Sequence, residues 1–220
     1  MLFPFLILAE PKKVFERLAT RSRWLAPLIT CTVGFFIITW LAGCWTNIRD
    51  GLRWWSLLGP AIASTLFVGM AGVGSTAALY AACRVIGGQR SDGQMFRSLF
   101  SLNIHCAVIL VLGELMNFLL VRAPLIQDYN LPLPNRVPLG LDLLLLGVKE
   151  PNIYLTIFLH GTSVFVLWYL AVLAAGLKYT TGLSSARSAA IAATVWLLGV
   201  GLVIGIVYSA GGGTMFRVTM

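Results

Sequence analysis

Residues 101–122 read SLNIHCAVILVLGELMNFLLVR. A helix needs about 20 apolar residues to cross the hydrocarbon core of a bilayer, and this run supplies them. Yet it also carries Asn103, His105, Glu114 and Asn117. A charged side chain at mid-membrane costs about 2.5–3.5 kcal/mol on insertion scales. These groups are therefore expected to face protein, water or another subunit. At helical spacing Asn103, Ala107, Leu110, Glu114 and Asn117 share one face. Amides on such a stripe suit hydrogen bonds across helix–helix contacts. His105 lies roughly 160° from Asn103 around the axis and needs a separate partner.

The rest of the chain agrees with a membrane setting. Of 220 residues, 58% are hydrophobic and 11% charged, against about 25% charged in soluble domains. A soluble fold of this size has too little interior for that apolar surface, so the class is an all-α integral membrane protein. The net charge is +8. In a soluble chain such a charge would raise nucleic-acid binding. Here Lys and Arg flank apolar runs, where they act as topology signals and contacts for anionic lipid, and no nucleic-acid partner is expected. Cys31, Cys44, Cys83 and Cys106 lie in or at the ends of apolar runs without a CxxC. They read as small hydrophobes, not as a disulfide or metal set. The opening MLFPFLILAEP has no basic residue ahead of its apolar run and matches a signal peptide poorly.

Five stretches approach spanning length: 24–45, 54–83, 98–121, 153–177 and 188–210. They define a bundle of five transmembrane helices over 24–210, with an N-terminal segment at 1–23 and a flexible tail at 211–220. PLGLDLLLLGV, residues 138–148, is too short to cross and is expected as a short interfacial helix with Pro138 in its first turn. Placing the N-terminus inside puts ten Lys and Arg on the inner side and six on the outer, which predicts N-inside and C-outside. In residues 11–23, Lys12, Lys13, Arg17, Arg21 and Arg23 accompany an apolar face of Val14, Phe15 and Leu18. An amphipathic basic helix ahead of a span is expected to lie on the inner leaflet. GGQRSDGQ is a polar turn. The longest connection, 122–152, holds five prolines and is expected as a cap that is non-helical in places.

The PKKVFERL helix leading into RWLAPLI, the turn GGQRSDGQMFRSLFSLN and the closing pair from IYLTIFLHGTSVFV to SAAIAATVWLL together resemble the bacterial branch of the Yip (Ypt-interacting protein) domain family. The resemblance covers nearly the whole chain. It implies five spans with a cytoplasmic N-terminus, in the bacterial cytoplasmic membrane. Eukaryotic members bind small GTPases in vesicle traffic, and some bacterial members accompany ABC-type exporters. This sequence departs from the eukaryotic pattern: it lacks a long cytosolic N-terminal domain, and SLLGP at 56–60 puts Ser56 where that pattern has an acid. GTPase binding is therefore not carried over, and the family supplies no catalytic residue.

Depth pairs some of the intramembrane polar groups. The third span, running outward, places Glu114 roughly 24 Å from its inner end; the returning fourth places His160 about 20 Å above the inner surface. Glu114 and His160 are thus expected to meet in the outer half of the membrane, with Thr162 and Ser163 close by. His105 sits some 10 Å lower, too far for both histidines to ligate one haem iron. Three readings stand: a polar pair that fixes helix register, a bond from Glu114 to a partner subunit, and a proton- or ion-coupled path. The scarcity of other ionisable groups in the spans weighs against the path. Gly74, Ala78 and Ala82 repeat at four-residue spacing, and Gly201 and Gly205 form GxxxG. Both are helix-packing patterns, whether within the chain or against a partner.

No metal cluster, nucleophile elbow or phosphate loop is present in the sequence, so an enzyme is not expected. The first functional expectation is a scaffold or accessory subunit of a larger membrane complex, with an ABC-type exporter as a candidate partner. The second is a small transporter or channel using Glu114. The third is a lipid- or pigment-binding subunit using His105 or His160. The expected partners are membrane lipids and other integral membrane subunits. No cofactor is expected beyond bound lipid; a haem or pigment would need another ligand beside one histidine.

Overall fold

In the computed structural model the chain is described over residues 7, 10–20, 24–48, 58–86, 92–121, 137–145, 148 and 151–209. Seven α-helices occupy them: α1 Pro11–Thr20, α2 Leu25–Ile48, α3 Leu58–Val85, α4 Asp92–Leu120, α5 Ile153–His160, α6 Val164–Thr181 and α7 Ser185–Ser209. A 3₁₀ turn covers Leu141–Leu145. Pro27 and Pro60 sit in the first turns of α2 and α3, where a missing N–H costs nothing. Gly182 closes α6 in the left-handed region at φ 74°.

Among the described residues, four helices are long and apolar enough to cross a membrane: Leu25–Cys44, Gln94–Leu120, Val164–Thr181 and Ser185–Ser209. Side-chain contacts fix their directions. Trp24 stacks edge-on against Phe100, Cys31 bonds the Ile104 carbonyl and Gly34 lies on Val111, so α2 and α4 run parallel. Gly72 meets Ile104 while Tyr80 meets Phe96, so α3 runs antiparallel to both. Leu102 meets Gly176 and Gly113 meets Phe165, so α6 runs antiparallel to α4 along most of its length. This α4–α6 pairing is the most extensive in the bundle.

The tightest packing gathers at one end. Leu79, Cys83, Met95, Leu99, Leu102, Leu173, Leu177 and Ile191 are buried there with Val14 and Phe15 of α1. The structure places the apolar face of α1 on protein. The α1 helix forms, but it does not spread its apolar face on lipid: Val14 is 0% and Phe15 1% exposed. Phe15 stacks on Tyr179 with ring centroids 5.9 Å apart. An apolar stripe this close to the mouth of a bundle gains more by filling it than by touching lipid headgroups. Lys12 and Lys13 stay exposed, and Lys13 pairs with Glu10 at 2.6 Å. The side chains of Arg17, Arg21 and Arg23, and the tail 211–220, lie outside the described residues.

Two expectations need correction. The fourth span is not one helix over 153–177: it stops at His160 and restarts at Val164. The short interfacial helix expected at 138–148 is a 3₁₀ turn that begins after Pro138. On α3, a side chain at Gly74 would meet nothing of the described residues within 4 Å, whereas Gly72 touches Ile104 and Ala82 packs on the core. Gly201 and Gly205 also face open space within the chain.

Gly176 allows the closest approach in the bundle. A β-carbon there would collide with Leu102 and lie 2.9 Å from Phe15. Overpacking of this kind costs about 1–3 kcal/mol. Gly176→Ala is expected to lower the thermal midpoint of the detergent-solubilised protein and to expose α1 to protease, while Gly205→Ala leaves both unchanged.

Candidate functional site

The break between α5 and α6 replaces helical hydrogen bonds with others. Gly161 N still makes a regular helical bond to Ile157 O at 3.0 Å, while Thr162 N and Ser163 N tighten onto the carbonyls three residues back, Leu159 O at 3.0 Å and His160 O at 3.2 Å. Val164 N leaves its own helix and bonds Leu139 O at 3.0 Å. Gly140 and Ser163 form an isolated antiparallel bridge. Ser163 then caps α6, its side-chain oxygen accepting from Val166 N. The indole of Trp196 on α7 donates to Gly161 O at 3.0 Å. The backbone of residues 137–140 thus serves as the missing turn. Lipid offers no hydrogen bonds, so such a break is tolerated only where protein supplies them.

The inserted segment is held from three sides. Val137 N donates to Asn117 Oδ1 on α4 at 2.8 Å. Gly140 N donates to Asp142 Oδ1 at 2.9 Å. The other Asp142 oxygen faces His160 Nδ1 at 2.7 Å. Asp142 is 3% exposed. The expected pairing of His160 with Glu114 is therefore corrected: the carboxylate on His160 belongs to Asp142, in a segment the sequence gives no spanning role. The depth reading was sound in a looser sense. Glu114, Asn117, His160 and Ser163 all line one half-open cavity of about 430 Å³ between α2, α4, the break and α7. Its remaining wall is mostly apolar, including Phe35, Leu110, Phe165 and Val203. Thr162 turns away and bonds Leu159 O at 2.5 Å.

Asn103 and His105 belong to separate arrangements nearer the packed end. The Asn103 amide nitrogen lies 2.8 Å from Ser75 Oγ, 3.0 Å from Thr76 Oγ1 and 3.2 Å from Gly72 O. Its two hydrogens are shared among these three acceptors. Asn103 Oδ1 accepts from Tyr169 OH at 2.7 Å. One side chain thereby ties α4 to α3 and α6. Tyr169 and Thr76 were not singled out in the sequence, where a tyrosine and a threonine in apolar runs look like filler. His105 is fully buried, and its Nδ1–H donates to the Ser101 carbonyl at 2.7 Å.

Two consequences follow for experiment. Interhelical bonds in membrane proteins average about 0.6 kcal/mol each, so removing the Asn103 contacts should cost about 2 kcal/mol. Asn103→Ala is expected to lower resistance to denaturing detergent by that amount, and Tyr169→Phe by less. A β-carbon on Gly140 would lie 2.5 Å from Ser163 Cα and from Thr162 O. Gly140→Ala is therefore expected to undock the segment, and hydrogen exchange of the Val164 amide should accelerate, while amides of α4 near Leu102 remain protected.

No curated protein and no solved structure matches the chain. The family model described as the Yip1 domain matches residues 5–206. That match takes in every helix that positions the cavity and the Asn103 contacts, and the chain belongs to the Yip1 domain family.

Proposed function

We propose that this Yip1-family membrane protein is a non-enzymatic scaffold or accessory subunit of a larger membrane complex, with an ABC-type exporter as the first candidate partner. One contrast carries the reading. The intramembrane polar groups hold the chain's own helices together, whereas the flanking helices turn their apolar surface outward. Only 11% of the spanning window of α2, and of α7, is buried within the chain, against 50% for α4. Gly199, Gly201 and Gly205 lie on α7 with open space around them. Small residues on an outward face let another helix come close.

The reading includes five crossings. Two parallel spans, α2 and α4, require the chain to return between them, and the antiparallel α3 has the length to do so, about 42 Å at 1.5 Å per residue. Five crossings place the chain ends on opposite sides. Lys12, Lys13, Arg84, Arg97, Lys178 and Arg187 are all exposed, and they cluster at the α1 end of the bundle, which the positive-inside rule assigns to the cytoplasm. In a bacterium this is the cytoplasmic membrane. No cofactor is invoked beyond bound lipid.

The test is mild extraction at native expression, followed by mass spectrometry of what copurifies and by impermeant labelling of a cysteine placed at each end. Stoichiometric integral membrane chains and opposite-side labelling are expected. A chain recovered alone, or ends labelled from one side, would refute the reading. The cavity beside Glu114 favours a coupled path as a second reading, and liposome flux abolished by Glu114→Gln would put it first.

A further inference from the structure

We propose that residues 139–145 are a re-entrant element seated in the membrane, with Leu141, Leu143 and Leu144 against the acyl chains of the leaflet farther from α1. The proposal needs neither the accessory-subunit reading nor a choice of which face is cytoplasmic.

Three helices of spanning length measure the depth. Arg97 on α4, Lys178 on α6 and Arg187 on α7 are exposed at the α1 end. Basic heads of this kind lie at or beyond the hydrocarbon boundary. Each therefore marks the near face of a core about 30 Å thick. Along α4, Gly113, which faces Phe165 at the start of α6, lies about 24 Å past Arg97 at 1.5 Å per residue. Along α6, Val164 lies about 21 Å from Lys178. Along α7, Trp196 and Val200, the residues of that helix against Gly161, lie about 14 and 20 Å past Arg187. Every one of these heights ends inside the core, and helix tilt only shortens them. The apolar run of α7 then continues from Gly201 to Ser209. The break between α5 and α6 thus lies at hydrocarbon depth. The segment that completes it lies there too: Leu139 O accepts from Val164 N, Gly140 bridges to Ser163 and Asp142 holds His160.

The side chains suit lipid. Asp142 is the one charged residue in VPLGLDLLLLGV, residues 137–148. It is buried, turned inward onto Gly140 N and His160. What the turn shows outward is apolar: Leu141, Leu143 and Leu144 are exposed, Leu144 at 73%. The turn packs on α5, whose Leu155 and Phe158 are exposed as well. Helix α5 packs in turn on α7, where Leu202 and Ile206 face outward. The leucines thus continue the outward apolar surface of a span. The backbone meets the condition for entering hydrocarbon, which is that protein supplies its bonds. Val137 N and Gly140 N donate to the Asn117 and Asp142 side chains, Leu143 N donates to Gly140 O, and Pro138 has no N–H to satisfy.

The experiment uses the full chain in liposomes. Cys31, Cys83 and Cys106 are buried, so Cys44→Ser gives a background in which an introduced cysteine carries a nitroxide label. Labels at Leu144→Cys and at Leu141→Cys, both on exposed positions of the turn, are compared with Leu202→Cys on α7 and Lys178→Cys at the α1 end. Power saturation should show both turn labels relaxed by dissolved oxygen and shielded from a water-soluble nickel chelate, as at Leu202→Cys, while the nickel effect is present at Lys178→Cys. Nickel relaxation at the turn positions would put the turn in water. Shielding from oxygen and nickel alike would put it against protein. Either result overturns the proposal.

Discussion

A backbone amide shielded from water must find its acceptor in the protein, and the break at Gly161–Ser163 between α5 and α6 follows that rule. When α5 ends, Val164 N finds Leu139 O, Trp196 covers Gly161 O and Ser163 caps the helix that follows. Those partners can arrive only if residues 137–145 come in from the connection, and they are held there by Asn117 and by Asp142 on His160. The cavity exists because the returning segment fills the gap in the backbone without filling the space beside α4.

The two ends of the bundle therefore differ in kind. At the α1 end apolar side chains interlock, with Gly176 admitting Leu102 and Phe15. At the other end polar groups set the geometry. Buried polar contacts are directional, and one missing member leaves the rest unsatisfied, whereas apolar packing degrades more gradually. Asn103 sits between the regimes, holding α3 and α6 to α4 through a single amide. Its position explains why a bundle with such apolar outer helices keeps one helix arrangement.

Much of this was legible in the residues. Apolar run lengths came close for α2, α3 and α7 but started α4 late and ran through the break in 153–177, and polarity within apolar runs singled out Asn103, Glu114, Asn117 and His160. Depth alone brought Glu114 and His160 to one level. It could not choose between them and Asp142, because an eleven-residue run looks unable to enter the membrane, and the bridging of Gly140 to Ser163 is a contact distant in sequence. The break had a local signal that the apolar run masked: HGTS places a glycine and then a capping serine ahead of VFVLW. The glycine patterns could not say which neighbour each would meet. On α3, small residues occur on more than one face, and only the partner helix determines that Gly72, not Gly74, is the contact.

The docking of α1 also bears on how the chain is made. Val14 and Phe15 emerge from the ribosome early, but Gly176 and Tyr179, against which Phe15 packs, appear only after nearly all the spans have been threaded. At synthesis rates of roughly 5–20 residues per second, that delay is on the order of ten seconds. Until α6 arrives, the apolar stripe of α1 can meet α4 but lacks the larger part of its packing surface, so this end of the bundle closes last.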